Sequence, residues 1–555
     1  MHRDSPSLRS VIFLILALSA ALTVPWLERP FHTRGEPREA LVAQAMLETG
    51  DWISPPAYDG AVPSKPPFTH WLMALVGLTR GGLDEFSARL PAALAVIGFG
   101  VAFLIFLHRR IGIERALGVS VVLLAASEWF RSASTCRVDT VLAVSMSGGL
   151  LALYGWWERK LRGVPWLAIG LISCATLTKG PVGFVLPLGI FGLFAWMHVG
   201  FARRQALTLA FRVGALAVPI VAIASGWYLL GYIKRGDPFI EKVLYENFDR
   251  FTSSMQDEPH KHSVFYLVGM LLIGLLPWSV CLLSGSSWRG ARALFNRVAF
   301  ADWWRGQPPL YRFAYLASAC VLVFFCIPSS KRSVYLLPLY PFVAILVERW
   351  GRDCLGAVAK RYAARVIMLA AGVICLAAVV LSFITIGGVR LDWGAFLASL
   401  GWVKIVGSVV VAALMFGPGR MALRAAWQRP LERIGLAMIA AVWGVSFFVY
   451  DTVAWQLSPK RWLGGDAFKV ALAGERPSGY RSFGSEAYGA SFYLGEPFSR
   501  ALPGGVPAGS IVFLEARKLD QFKSEVTGDF TELFRYQSGI ESERKAIVVV
   551  RTGGL

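Results

Sequence analysis

Long apolar runs alternate with short polar connections along the 555-residue chain, and runs near 20 residues can cross a bilayer core of about 30 Å. Thirteen spans are predicted on this pattern, at 10–27, 90–107, 116–133, 140–157, 164–178, 180–197, 213–232, 264–284, 310–327, 333–347, 363–386, 400–416 and 434–450. Thr178-Lys179-Gly180-Pro181 interrupts the run 164–197 and reads as a tight hairpin between two spans. The run 333–347 is short and carries Pro338 and Pro341. Arg3 and Arg9 precede the first run, as in a secretory leader. Pro25-Trp26-Leu27-Glu28-Arg29 is a poor small-residue cleavage site, however, so the run reads as a retained span.

Two regions depart from the alternation. The connection 28–89 holds an amphipathic segment, 39–48, and an apolar one, 69–79, too short to cross and expected to lie in the membrane interface. Beyond 456 the chain regains ordinary charge and turn residues, with strand-like runs at 511–514 and 547–550 and a helix at 516–524 between them. The expected organisation is a transmembrane domain, 1–455, followed by a small soluble α/β domain, 456–555. No glycine-rich phosphate loop precedes a helix in that tail, which argues against dinucleotide binding.

Composition agrees: 55% of residues are apolar, only 17% are charged, and the mean hydropathy is +0.52. These values exclude a disordered chain and describe a polytopic membrane protein. The seven cysteines form no Cys-x-x-Cys pair and read as small apolar residues among helices.

The net charge of +20, from 56 basic and 36 acidic residues, changes the picture only when its sidedness is read. No nucleic-acid motif accompanies it, and no nucleic-acid partner is expected. One set of connections is almost free of acid and holds Arg109-Arg110, Arg159-Lys160, Arg203-Arg204, Arg349 with Arg352, and Arg420 through Arg433. The positive-inside rule makes this set cytoplasmic, with the N-terminus inside and, after thirteen spans, the C-terminus outside.

The opposite connections carry the chemistry. They contain Glu36-Pro37-Arg38, Lys65-Pro66, Arg137-Val138-Asp139, Lys179, Glu246 with Arg250, His260-Lys261-His262, and Lys331-Arg332 with Tyr335. Lysines and arginines on the outer face run against the topological bias. A phosphate held at the bilayer surface would account for them, with a carboxylate nearby as general base or metal ligand. His260 and His262, two residues apart, are the candidate metal ligands on spacing.

At these residues the sequence resembles the membrane glycosyltransferases of GT-C type that use polyprenyl-phosphate sugars: the lipid A aminoarabinose transferases and, more distantly, the protein O-mannosyltransferase family. The matches are ordered along the chain: Glu36-Pro37-Arg38, Gly50-Asp51-Trp52, Lys65-Pro66, Asp139, Thr178-Lys179-Gly180, Glu246 to Arg250-Phe251, His260-Lys261, and Lys331 to Tyr335. Two positions differ. Aminoarabinose transferases commonly have Asp-Glu where this chain has Gly35-Glu36, and Glu where it has Ser64 before the lysine.

The resemblance implies an inverting transferase in the bacterial inner membrane, with its site on the periplasmic face. It would move a monosaccharide from an undecaprenyl-phosphate carrier to an acceptor such as lipid A or another envelope glycolipid. Glu36 and Asp139 are the expected catalytic carboxylates, and Lys65, Lys331 and Arg332 the donor phosphate ligands. Arg38, Arg137, Lys179, Glu246, Arg250, His260 and Tyr335 would support them. A divalent metal, with His260 as ligand, is compatible but not required, because a phosphate monoester dianion is a competent leaving group. Two other readings are a protein O-glycosyltransferase and, from another class, a lipid-linked sugar transporter or flippase. A flippase predicts internal repeats and acids at mid-membrane, which the sequence lacks.

Overall fold

A computed structural model of the chain describes residues 6–31, 33, 35–56, 65–199, 203–245, 262–283, 297–328, 330–354, 365–373, 376, 385–386, 389–390, 402–445, 472, 474–475, 477–483, 487–496, 498–501, 506–526, 529–536 and 547–553. Helix α1 (Leu8–Thr23) begins where the Ser7 hydroxyl accepts from the Ser10 amide at 3.2 Å, an N-cap that satisfies one of the free first-turn donors. The 3₁₀ turn Val24–Trp26 carries it into the first connection, which holds α2 (Gly35–Thr49) and α3 (Phe68–Arg80). These replace the expected segments 39–48 and 69–79. At 13 residues, α3 is about 20 Å long, short of a bilayer core.

The bundle continues with α4 (Glu85–Ile111), α5 (Ile113–Leu124), α6 (Ser127–Ala133), α7 (Val138–Glu158), α8 (Trp166–Lys179), α9 (Val182–Val199), α10 (Arg203–Arg235) and α11 (Asp237–Leu244). Then come α12 (Phe265–Gly274), α13 (Arg297–Arg305), α14 (Pro309–Cys326), the 3₁₀ segment Ser333–Leu339 running into α15 (Tyr340–Cys354), α16 (Trp402–Phe416), α17 (Arg420–Gln428) and α18 (Pro430–Val445). Among the described residues six helical segments are long and apolar enough to cross a membrane: Leu8–Trp26, Glu85–Ile111, Val138–Glu158, Arg204–Arg235, Pro309–Cys326 and Ser333–Arg352. The pair α16–α17, bent by 72°, makes a seventh if counted as one span.

Several of the thirteen expected spans take another form. The run 116–133 is divided into α5 and α6 at Ala126, whose backbone is extended. Beyond this break the Ser127 amide and hydroxyl turn to the carbonyls of Leu276 and Ile273. The run 264–284 stops as an α-helix at Gly274, and Pro277, which lacks an N–H, lies in the break before a 3₁₀ turn. The runs 164–178 and 180–197 are the shorter helices α8 and α9. Spans 363–386 and 434–450 lie partly outside the described residues, and the expected boundary at 455–456 lies wholly outside them.

The main core gathers Leu14, Leu18, Phe103, Val119, Leu150, Phe313 and Phe342 from α1, α4, α5, α7, α14 and α15. By contrast α10 exposes Phe211, Val218, Leu229 and Ile233, a surface suited to lipid rather than water. The hairpin between α8 and α9 is unusually tight. A Cβ on Gly183 would lie 2.4 Å from the backbone of Ala175 and Thr176, so only glycine fits. Gly183→Ala is expected to cost about 1–3 kcal/mol through overpacking. It should also lower activity, because Lys179 sits at the end of α8. Thermal unfolding of the purified variant checks this; an unshifted midpoint would contradict it.

In the C-terminal part, a two-stranded ribbon, β1 (Thr385–Ile386) and β2 (Val389–Arg390), precedes a five-stranded mixed sheet. Its strands are β3 (Tyr480–Phe483), β4 (Phe498–Arg500), β5 (Ile511–Glu515), β6 (Phe530–Tyr536) and β7 (Ile547–Thr552), in the order β4-β3-β5-β7-β6. β5 pairs parallel with β3 and antiparallel with β7. Alternate residues of β5 face two cores: Ile511 and Phe513 join Ala490 of α19 (Tyr488–Leu494), while Val512 and Leu514 join Phe522 of α20 (Leu519–Glu525). The outer face of α19 packs on the first connection, with the Phe492 ring edge-on to Phe31 at 4.9 Å.

Candidate active site

The helix directions bring one set of ends together. The C-termini of α1, α8 and α10 and the N-termini of α2, α4, α7 and the segment Ser333–Arg352 share one end of the bundle. Arg109, Arg110, Arg159, Lys160 and Arg162 cap the other end. Of the residues singled out in the sequence, the described Glu36, Arg38, Lys65, Asp139, Lys179 and Tyr335 lie at the first end.

Glu36 lies in the first turn of α2 and is 0% exposed. It accepts from Arg89 Nε at 2.9 Å, from the Cys136 amide at 3.1 Å, and from the Thr33 amide and hydroxyl at 3.3 Å each. The reach back to Thr33 is that of a capping box. Arg89, 1% exposed, also donates to the carbonyls of Trp26, Leu27, Arg29 and Pro30. This pair locks the first connection onto α4 and onto the link between α6 and α7. Both Glu36 oxygens are engaged and no face of the carboxylate reaches solvent, in contrast with the open position expected of a catalytic acid.

The carboxylate that meets the Lys-Pro lysine is Glu39, one helical turn further on. It receives Lys65 Nζ at 2.6 Å and Arg38 at 2.6 Å on one oxygen, and His70 Nε2 lies 3.0 Å from the other. Burial alone would raise its pKa, but Lys65, Arg38 and His70 hold it well below the usual carboxylate range. Burial and Arg38 push Lys65 down, while Glu39 and, from the other side, Asp139 support its charge.

Because the folded Glu39 pKa is depressed, its contribution to stability is complete above the ordinary value of about 4.3 and is lost as pH falls through the folded value. Glu39→Gln is expected to lower stability at neutral pH and to flatten the acid limb below about pH 4. Thermal melts across pH would show this, and an unchanged acid limb would refute the ion pair.

Asp139, in the first turn of α7, pairs with Lys179 at the end of α8, and the Lys179 ammonium lies 4.2 Å from the centre of the Tyr335 ring. Both side chains keep partial access to solvent, 14% for Asp139 and 22% for Lys179. The Arg137 guanidinium lies 3.7 Å from where a Cβ on Gly35 would stand. An acid at position 35 would thus meet Arg137.

Asp51 anchors the segment that leads to Lys65. It accepts from Lys234 at 2.8 Å and from the amides of Ile53 and Ser54 at 3.1 and 2.8 Å, and its pKa is lowered by these bonds against the effect of burial. The Trp227 and Trp71 indoles donate to the carbonyls of Ile53 and Trp52.

Lys331 is 3% exposed and donates to the carbonyls of His262, at 3.1 Å, and Pro328. Arg332, half-buried, precedes the turn that presents Tyr335. Glu246, Arg250 and His260 lie outside the described residues. Among the described residues no three His, Cys, Asp or Glu side chains converge as metal ligands. At Glu39 the donor set does not suit a divalent ion either, since Lys65 and Arg38 already share that carboxylate.

The structure thus brings together Arg38, Lys65, Asp139, Lys179 and Tyr335, and adds Glu39, His70 and Arg89. Glu39 lies three residues from Glu36 and His70 five from Lys65, spacings visible in the sequence but shared by many solvated residues. Arg89 had one signal, a charge placed at the mouth of an apolar run.

A family model described as dolichyl-phosphate-mannose-protein mannosyltransferase matches residues 64–227. An undecaprenyl phosphate-alpha-4-amino-4-deoxy-L-arabinose arabinosyl transferase of Pectobacterium carotovorum is 24% identical over 373 residues, covering 65% of this chain and 62% of the relative. An uncharacterized protein of Aquifex aeolicus is 26% identical over 338 residues, covering 60% and 62%. The chain spans less than two thirds of the length of these relatives. The crystal structure of ArnT from Cupriavidus metallidurans bound to undecaprenyl phosphate superposes with a TM-score of 0.66 at 20% identity, covering 97% of each chain. The chain has the GT-C fold of ArnT, and its sequence resembles the lipid A aminoarabinose transferases and the protein O-mannosyltransferase family.

Proposed function

We propose that the protein transfers one sugar from an undecaprenyl-phosphate carrier to an acceptor hydroxyl at the periplasmic face of the bacterial inner membrane. The carrying observation is the pair of lysine–carboxylate contacts, Lys65–Glu39 and Lys179–Asp139, coupled through the field of Asp139 on Lys65. They lie at the end of the bundle opposite the arginine-rich connections, and the positive-inside rule supports reading that end as the outer one.

In the proposed step the acceptor oxygen attacks the anomeric carbon, the bond from that carbon to the phosphate oxygen breaks, and the configuration inverts. The donor phosphodiester carries one negative charge and leaves as a monoester dianion. Lys65 and Lys179 stabilise the charge as it develops, and Arg332, three residues before the Tyr335 that faces Lys179, is the further candidate. Asp139 takes the acceptor's proton; it is the carboxylate with solvent access, whereas Glu36 has none. Lys65 leaves Glu39 for the phosphate, and Arg38 and His70 remain to hold Glu39. Lys331, tied to backbone carbonyls, would shape the segment bearing Arg332 and Tyr335. Glu246, Arg250 and His260 remain candidates for the far wall.

The names of the curated relatives favour an aminoarabinose-like donor and a lipid A acceptor. The match to the mannosyltransferase model, which includes Lys65, Asp139 and Lys179, favours a protein hydroxyl as second reading. The test is mass spectrometry of lipid A and of periplasmic proteins from cells with and without the chain. A sugar-sized mass lost from lipid A supports the first reading and one lost from protein supports the second. Unchanged masses in both, with no transfer in proteoliposomes supplied with polyprenyl-phosphate sugars, would overturn the transferase assignment.

A further inference from the structure

A groove of about 1100 Å³ runs between α1, α16, α17 and α18, from Arg424 and Gln428 at the arginine-rich end to Leu18 and Ala21 in the C-terminal half of α1. Leu18 and Ala21 of α1, Met415 of α16, Leu423 of α17, and Leu436 and Ile439 of α18 form its walls. Its charged and amide members, Arg424 and Gln428, flank Trp427 at one side, and Ser408 of α16 is the other polar residue of the lining. The groove matches or exceeds the volumes of about 300–1,000 Å³ typical of small-ligand sites.

Helix α17 gives the groove its orientation. Turned 72° from α16, it buries Ala422 and Ala426 and exposes Arg420, Met421, Arg424 and Trp427. Trp and Arg on an amphipathic helix lying across the ends of spans mark the membrane interface. The helix is fixed there, since the Ala422 amide donates to Ser10 Oγ at 3.0 Å and Arg429 pairs with Glu114 at 2.5 Å. Arg433 donates to the Trp427 carbonyl. Among the described residues no acid pairs with Arg420 or Arg424. The arginine side of the groove lies far from Lys65, because Ala422 sits beside Ser10 near the start of α1, and α1, about 24 Å long, leads from there to the other end.

We propose that the groove binds an anionic phospholipid of the adjoining leaflet, with an acyl chain between α1, α16 and α18 and the phosphodiester at Arg424 and Arg420. An apolar groove open to hydrocarbon is filled by hydrocarbon, the solvent at that depth. The two arginines add what a neutral lipid would not match, an attraction to negative charge at the interface. Each is expected to favour an anionic over a zwitterionic head group about fivefold.

The test is native mass spectrometry of the full chain titrated with phosphatidylglycerol or phosphatidylcholine. The wild type should retain phosphatidylglycerol preferentially. The double variant Arg420→Gln/Arg424→Gln should lose the preference, and Ala412→Phe should lose the adduct by filling the groove. As a measurement on the wild type, phosphatidylglycerol with a diazirine on its acyl chain should crosslink to α16 and α18. Equal retention of both lipids, or crosslinks spread evenly onto the lipid-facing surface of α10, would reduce the groove to ordinary annular contact and overturn the proposal. A groove filled by another part of the chain would give no crosslink there and would overturn it too.

Discussion

Asp139→Asn is expected to lower the rate of sugar transfer by about 10²–10⁴-fold, the range a positioned general base contributes. The substitution keeps the shape of the side chain and removes its charge, so the acceptor's proton has no anionic destination. Two side effects must be separated from this loss. Lys179 forfeits its ion pair, although the Tyr335 ring still faces its ammonium, so the unfolding midpoint should fall little. Lys65 also loses the support Asp139 gives its charge, which weakens donor binding. Saturating the donor in proteoliposomes isolates the chemical step. A near-normal rate at saturation would remove Asp139 as base; Lys65→Ala, by contrast, should raise the donor KM and lower kcat together, because Lys65 holds the phosphate in the ground state and holds it more strongly as its second charge develops.

Arg89→Met should cost about 3–5 kcal/mol of stability, because it leaves Glu36 as an uncompensated charge in the interior. The loss reflects Glu36 rather than the empty place of the guanidinium, so Glu36→Gln in the same chain should restore part of it. Thermal unfolding in detergent measures both variants. A wild-type midpoint for Arg89→Met would show that the pair does not hold the first connection. The double variant also separates the two roles considered for Glu36: a keystone is replaceable by a neutral pair with transfer retained in the folded fraction, whereas a base is not.

The sequence carried the architecture in its coarsest feature, the alternation of apolar runs with basic connections, because membrane insertion depends on that pattern. It carried α2 and α3 as well, since a 13-residue apolar segment is too short to cross. The breaks at Ala126 and Pro277 escaped it: a broken span has the same mean hydropathy as an intact one, and at Ser127 only the distant carbonyls of Ile273 and Leu276 reveal the turn. Within the candidate site, Lys65 and Lys179 stood out as bases against the topological bias, and Asp139 as an acid beside Arg137 at the start of a span. Glu36 was legible as well, but its burial was not. Whether a carboxylate faces a substrate or an arginine depends on Arg89, 53 residues away, and no local spacing encodes that choice.

The docking of α19 on the first connection has a consequence for chimaeras. The Tyr493 hydroxyl donates to Glu85 at 2.6 Å and accepts from the Phe31 amide at 3.0 Å, and Phe31 lies under the Arg89 guanidinium. The tail is thus wired to the residues that seat Glu36. Exchanging it between relatives amounts to transplanting half of an interface, so a functional graft must carry positions 31 and 85 along with the sheet.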